Sequence, residues 1–384
     1  MKKNKILFLS YSDKSGGASI GMYRTYEALK KDYNIKILVR KKITTDPKII
    51  QVGSTFVNYI RNLLSLLLRL FLIKDYSINI LPSKILNLFN SYEIINIHWI
   101  GGETISLKEI FNSKKKIIIT LHDMWFFNGG YHYINNNKFF FIKCLDKFLF
   151  KYKKIISTKK NIYFICPSNW IKNQLINKMN VSKNKISVIP YPRLNFVKNL
   201  NVKKENNGSF SKKGIFISAN HINDSRKGFD LLNNSLKLKK RDDLKLLIIS
   251  KNFEKEKIFH HDYIGYDYLS EKQIFSELKK IDFLIFPSRQ DNLPNVIIES
   301  LSFNKPVLAF NVGGLSDLIF HKFNGYLANP FDLNDFNKGL DFIINNHRDL
   351  SNNINTDKYF KKNFSQKNIA KLYTKLISKI YNSK

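Results

Sequence analysis

The chain has only two cysteines in 384 residues, Cys144 and Cys166. Two thiols make no disulfide framework and match no metal-site spacing, so a reducing cytoplasm is the expected compartment. No stretch reaches the length of a membrane span. The opening MKKNKILFLSYS puts basic residues first, but its apolar run is too short for a signal core and reads as a buried strand. The sequence lacks GxGxxG, lacks the P-loop lysine, and offers no DxD-type acid pair in a loop to hold a metal. Acids are scarce too: 30 Asp and Glu stand against 64 Lys and Arg, a net charge of +34. Such a surface favours anionic partners: membranes, nucleotides or nucleic acid. Lys, Asn and Ile are enriched almost everywhere, as an AT-rich genome would produce, so charge alone does not choose among them. The aromatics, 14 % of residues, sit in apolar runs without an RNA- or DNA-binding signature, which argues against nucleic acid.

What is present is a repeated alternation. KILFLSYS, NIKILV, YEIINIHW, KKIIITLHD, IYFICPS and KISVIP are short β-branched runs with helical patterns among them. The order predicts parallel strands in a doubly wound α/β sheet. Residues 191–213 turn polar and lose periodicity, the mark of an interdomain linker. The pattern then restarts with GIFISAN, a helix from Lys227, LKLLIIS, HDYIGYD, a helix near 270–280, DFLIFPS, a helix after Pro294, and PVLAF. Two Rossmann-like domains are therefore expected: 1–190, then 214–362 after the linker. A terminal helix within 363–384 is expected to pack back across both. Segment 58–73, NYIRNLLSLLLRLFLI, gathers its polar residues on one narrow arc at about 100° per residue. It suits either a membrane interface or a buried helix. A second segment, 139–154, mixes large apolar residues with lysines and reads as a surface helix.

In doubly wound sheets ligands bind beyond the carboxyl ends of the strands. Six loops occupy that position: SGGAS, HWIGG, LHDMWFFNGG, ANHINDSRKG, PSRQD and NVGGLSD. Gly16 and Gly17 let backbone N–H groups approach a phosphate at a helix start. Arg226 and Lys227 add positive charge around an anion. Asn292, Leu293 and Asn295 mark a second helix start, Pro294 being suited to its first turn. A diphosphate fits this arrangement. Glu299, eight positions beyond Asp291 and set between apolar Ile298 and Leu301, reads as a buried carboxylate for a ribose diol. Asp291 then accepts from hydroxyls of a sugar beyond the diphosphate.

With these residues in view, the whole chain resembles the retaining glycosyltransferases of family four, which have the GT-B fold of two Rossmann-like domains facing across a cleft. Within that family it looks like the colanic-acid-type exopolysaccharide enzymes of bacteria. GGASIGMYR, HWIGG, LHDMWFFNGGYHY, SRKGFDLL, PSRQDNLPNVIIESLSFNKPVLAFNVGGLSDLI and NGYLANP carry the resemblance. It implies donor-sugar contact by Asp291, where Asp replaces the commoner Glu, ribose contact by Glu299 and diphosphate binding by Lys227. His122 matches a histidine near the reacting sugar. His98 and Asp123 are candidates for the acceptor side. The arginine many members carry before the lysine is absent, and Arg226 is the candidate to replace it. Relatives often carry cysteines after GGYHY; here a Phe- and Lys-rich stretch predicts neither metal nor disulfide.

The implied activity is metal-independent, retaining hexosyl transfer from a nucleotide diphosphate sugar, without cofactor. The acceptor expected is a growing, polyprenyl-linked surface polysaccharide, and the enzyme is expected to sit on the anionic inner face of the membrane. An epimerase of the same shape is the enzymatic alternative. An inactive scaffold is the non-enzymatic one, prompted by the Asp for Glu and the lost arginine.

Overall fold

The computed structural model describes residues 4–53, 59–61, 63, 76–83, 85–133, 140–193, 213–221, 224–239, 241, 244–251, 263–267 and 269–382. Linker residues 194–212 and most of segment 58–73 lie outside them, and the reading of each as linker or as interfacial helix lies there too.

The chain forms two units, Met1–Pro192 with Gln366–Lys384, and Arg193–Ser365. Unit 1 holds β1 (Lys5–Ser12), β2 (Asn34–Lys41), β3 (Ile49–Gln51), β4 (Ile94–Ile97), β5 (Lys116–Thr120), β6 (Ile162–Cys166) and β7 (Ile186–Val188). They pair in the order β3-β2-β1-β4-β5-β6-β7, every pair parallel. Its helices are α1 (Gly17–Leu29), α2 (Leu86–Phe89), α3 (Leu107–Asn112), α4 (Phe140–Thr158) and α5 (Asn169–Met179). A parallel sheet is covered on both faces, so its strands are apolar throughout rather than alternating. Leu7 and Leu9 accordingly enter one buried cluster with Ile95, Ile97, Ile117 and Ile119. Ile6 and Phe8 enter the other, with Ile37, Val39, Ile94 and Ile118. Each such side chain contributes on the order of 1.5–3 kcal/mol by leaving water.

Unit 2 holds β8 (Lys213–His221), β9 (Leu244–Lys251), β10 (Tyr263–Tyr266), β11 (Phe283–Phe286), β12 (Val307–Phe310) and β13 (Gly325–Ala328), in the parallel order β10-β9-β8-β11-β12-β13. Its helices are α6 (Phe229–Leu238), α7 (Glu271–Lys280), α8 (Asn295–Ser302), α9 (Leu333–Ser351) and α10 (Ile354–Asn363). Phe283, Ile285, Leu308 and Phe310 meet Phe336, Leu340 and Ile343 of α9 in its core. Asp332 caps α9, accepting from the N–H groups of Asn334 and Asp335.

The last helix, α11 (Gln366–Asn382), belongs to unit 1. Ile369, Tyr373, Leu376, Ile377 and Ile380 bury themselves with Met22, Tyr26 and Leu29 of α1. The expected terminal helix is present and begins at Gln366 rather than Asn363. Tyr191, assigned from sequence to the linker, lies in unit 1.

Each strand order reverses direction once, between β1 and β4 in unit 1 and between β8 and β11 in unit 2. These switch points are where an open α/β sheet parts its loops to admit a ligand.

Candidate functional site

In unit 2, adjacent β8, β11 and β12 bring three loops together. The chain after β8 makes a tight 3-10 turn, Ser225–Lys227, and α6 starts only at Phe229 behind Gly228. The expected helix from Lys227 is thus a turn, because Gly228 in the left-handed region (φ +69°) separates the two. A Cβ on Gly228 would stand 1.9 Å from the carbonyl oxygen of Pro287, so glycine is what lets the β8 and β11 loops touch. Gly313 (φ +59°) does the same for the β12 loop, since a Cβ there would stand 1.9 Å from the Asp291 carbonyl oxygen. Backbone bonds complete the join: Arg289 N–H donates to the Arg226 carbonyl at 2.8 Å and Gly314 N–H to the Asp291 carbonyl at 3.1 Å.

The loops converge on one carboxylate. Lys227 Nζ lies 2.8 Å and Arg226 Nη1 3.2 Å from Asp291 Oδ2, with side chains only 15 %, 23 % and 11 % exposed in the order Lys, Arg, Asp. Asn292 N–H donates to Asp291 Oδ1 at 3.0 Å. Arg226 also reaches the Gln290 carbonyl at 3.2 Å and Asp224 at 3.5 Å. Burial pushes the Asp291 carboxyl up, but the charges of Lys227 and Arg226 and its hydrogen bonds outweigh it, and its pKa ends below the usual value. Burial, only partly offset by Asp291, pulls the Lys227 ammonium below its own ordinary value. Three residues singled out from sequence therefore form one cluster of low solvent access.

The remaining donor-side residues flank it. Asn292 and Leu293 are buried, and Asn295 opens α8, whose N-cap Pro294 supplies no side-chain cap. Glu299 lies on the same helix but is half-buried, where the sequence suggested burial. Ile297, Ile298 and Leu301 take the core side of α8, which leaves Glu299 on the partly wet side. Gly16 and Gly17 lie in unit 1: Gly16, in the left-handed region at φ +85°, caps α1, and a Cβ on it would meet nothing within 4 Å.

In unit 1 the loops after β4 and β5 place His98 beside His122. Their rings bond through His98 Nδ1 and His122 Nε2 at 2.9 Å, and His122 Nδ1 meets the Tyr191 hydroxyl at 2.7 Å. Tyr191 also stacks on His122, centroids 5.3 Å apart and planes 12° from parallel. Burial holds His122 down to about 4, a nearby Asp123 offsetting little, and holds His98 well below its usual range with help from His122. Both imidazoles are neutral at pH 7, so each carries one N–H and one lone pair. His98 Nε2 is buried with no hydrogen-bond partner among the described residues. His98 also lines a cavity of about 20 Å³, room for a water molecule, together with His122, Trp99, Trp125 and His132 among others.

Asp123 does not pair with His122. Its Oδ2 takes His132 Nδ1 at 2.7 Å and Trp99 Nε1 at 3.0 Å, while its Oδ1 accepts from Trp125 N–H at 2.9 Å. His132 Nε2 in turn meets Ser77 Oγ at 3.0 Å. Asp123 thus organises the wall of the cavity. Sequence reasoning missed Ser77, Trp99, His132 and Tyr191 as members of this network. Trp99 and His132 lay inside motifs already quoted, and Tyr191 stood between two prolines in apparent linker.

Comparison with known proteins bears on the same elements. Residues 199–363 match the family model of glycosyl transferases group 1, which spans β8, the three loops and α10. An uncharacterized glycosyltransferase of Methanocaldococcus jannaschii is 32 % identical over 228 residues, 57 % of this chain and 59 % of that protein. The chain therefore matches less than two thirds of that relative's length. A Klebsiella pneumoniae protein described as lying in a cps region is 25 % identical over 256 residues, 64 % of this chain and 68 % of its own. Among solved structures, Anabaena HepE in complex with UDP-glucose superposes with a TM-score of 0.67 at 13 % identity, covering 97 % of this chain and 99 % of that one.

The fold is GT-B. Two parallel α/β sheets, each with a switch point, are the arrangement the sequence pointed to.

Proposed function

We propose that this GT-B protein is a metal-independent, retaining glycosyltransferase that moves a hexosyl group from a nucleotide diphosphate sugar to a growing, lipid-linked surface polysaccharide. The observation that carries the reading is the Lys227–Asp291–Arg226 cluster, where three loops meet at the carboxyl ends of β8, β11 and β12. Two cations and the start of α8 suit a diphosphate leaving group and supply the neutralisation that a divalent ion gives elsewhere. Asp291 then accepts from hydroxyls of the donor sugar, and Glu299, half in water, accepts from the ribose diol. Within unit 1, the N–H groups of Gly16 and Gly17 at the start of α1 suit an anionic group.

On the acceptor side, neutral His122, its two ring nitrogens engaged by His98 and Tyr191, positions the reacting sugar or stabilises its oxocarbenium-like state through its backbone carbonyl rather than acting as a free base. With retention, the acceptor attacks from the leaving-group face and the departing phosphate takes its proton. Asp123, through Trp99 and His132, positions the pocket wall. A neighbour of this fold binds UDP-glucose and a relative lies in a cps region, and both support a nucleotide sugar and a polysaccharide product. No helix of the described residues is long and apolar enough to cross a membrane. The net charge of +34 supports peripheral attachment to the anionic inner membrane surface.

The test is a thermal-shift titration with UDP, GDP and ADP on wild type and Glu299→Ala. A nucleotide at a hundred times its Kd adds about 2.7 kcal/mol. Stabilisation by one nucleotide, much reduced in the variant, supports both donor and ribose contact. No stabilisation by any of the three would sink the donor reading and bring the scaffold alternative forward.

A further inference from the structure

Helix α4 has two apolar faces, and only one belongs to the core. Ile142, Leu149 and Ile156 recur every seven residues and are buried. Phe141, Phe148 and Ile155 recur with the same spacing and are 70 %, 61 % and 46 % exposed, beside Phe140 at 81 %. At about 100° per residue the second set lies roughly a quarter turn from the first and points to solvent. Cys144 is exposed on the same arc. Lys143, Lys147, Lys151 and Lys154 are exposed along its border. The helix's one acid, Asp146, faces inward, where it accepts from the Tyr76 hydroxyl and from Gly130 N–H, both at 2.8 Å.

We propose that this outer face of α4 docks onto an anionic lipid surface, its phenyl rings entering the interface and its lysines meeting the headgroups. A row of exposed phenylalanines is costly in water and is used where something covers it. A second copy of the chain would set lysine against lysine, whereas every charged group on this face complements an anionic bilayer. The assignment deepens the membrane part of the function proposed above and places a contact on a described helix. It is independent of whether a sugar is transferred.

Cys144 provides the probe. Cys166 is fully buried with its thiol pKa pushed up, so an environment-sensitive fluorophore labels Cys144 selectively in the full chain. Labelled protein is titrated with phosphatidylcholine vesicles, with and without phosphatidylglycerol, and with an oligonucleotide duplex. The expected result is a blue shift with the anionic vesicles alone. Phe141→Ser/Phe148→Ser should bind these vesicles about tenfold more weakly or worse. Lys143→Gln/Lys147→Gln/Lys151→Gln should lose most of the salt-sensitive part. The thermal shift with nucleotide should be unchanged in both, which separates docking from donor binding and shows that the variants fold. Wild-type affinity in the phenylalanine variant, a dye that stays in water, or a response to the duplex alone would each overturn the proposal. If vesicles bind and no nucleotide does, docking stands and sugar transfer falls.

Discussion

Asp291→Asn separates the two charge states of the unit 2 cluster. The substitution keeps size and one acceptor oxygen but removes the anion that Lys227 and Arg226 share, while Asp224, 3.5 Å from Arg226, stays in place. Removing one partner of a largely buried ion pair costs about 3–5 kcal/mol, because the cation left behind stays desolvated. Arg226 is 23 % exposed and recovers part of that from water, so about 3 kcal/mol is the fitting figure. For a unit of this size that lowers the melting temperature by roughly 6–12 °C. A bound diphosphate then acts as the missing anion. UDP should therefore stabilise Asp291→Asn more than it stabilises wild type, while turnover of the complete donor falls because its sugar has lost Asp291. The assay is differential scanning fluorimetry with UDP, paired with donor turnover. Equal UDP shifts in the two proteins would mean that the phosphates do not meet Lys227 and Arg226, and the reasoning would fail.

Further outcomes follow from other buried groups. His122 is held near 4 when folded and titrates near 6.5 when unfolded, so the unfolded chain binds more protons in between. Its stabilising share is full above pH 6.5 and declines by about 3 kcal/mol as pH falls toward 4; urea midpoints measured from pH 7.5 to 4.5 should fall, and His122→Gln should flatten that slope. Gly313→Ala puts a Cβ into the Asp291 carbonyl and should cost about 2 kcal/mol or more, with loss of the nucleotide-induced shift; a stable variant that still binds would show that the loops are free to part. Lys153, fully buried, donates at 2.6 Å to the carbonyls of Trp125 and Gly129, and burial lowers its pKa. Lys153→Met leaves those carbonyls unpaired and should destabilise unit 1 by about 2–4 kcal/mol in urea titration, without altering nucleotide binding to unit 2.

How far the sequence led depends on which physical signal each feature carried. Buried parallel strands such as Ile94–Ile97 and Phe283–Phe286 are continuous apolar runs, and they are all in place. The loops at their carboxyl ends were legible for the same reason, and with them Lys227, Arg226 and Asp291. Short elements were not: β3 has three residues and β13 opens on glycine, too little for a period to show. The start of α6 was misplaced because a left-handed Gly228 looks, in sequence, like any helix-entry glycine. Glu299 was misjudged because apolar neighbours one and two positions away lie on another face of a helix turning about 100° per residue. Tyr191 was missed because its partner is remote, His122 being 69 residues away, and His132 because one of its partners, Ser77, lies 55 residues off.

The two units treat charge in opposite ways, and this bears on what each can do. Unit 1 gathers His98, His122 and His132 around a water-sized cavity, and burial keeps His98 and His122 neutral. With both His122 nitrogens engaged, His98 Nε2 is the ring nitrogen of the pair left for a small polar guest, and a neutral pair draws in no counter-ions. Unit 2 concentrates charge instead, with Arg226 and Lys227 set against Asp224 and Asp291, two cations to two anions and no net charge left over. Such a cluster is quiet when empty, which suits groups of low solvent access in a chain with so many exposed lysines. A diphosphate can enter only by taking Lys227 and Arg226 from Asp291, and the displaced carboxylate then needs donors of its own. Hydroxyls of a sugar attached to that diphosphate would provide them, whereas a free nucleotide, its ribose diol assigned to Glu299, lacks that sugar. Binding of the nucleotide and recognition of its sugar are thereby coupled through one oxygen of Asp291, and a donor without its sugar should bind wild type more weakly than the complete one.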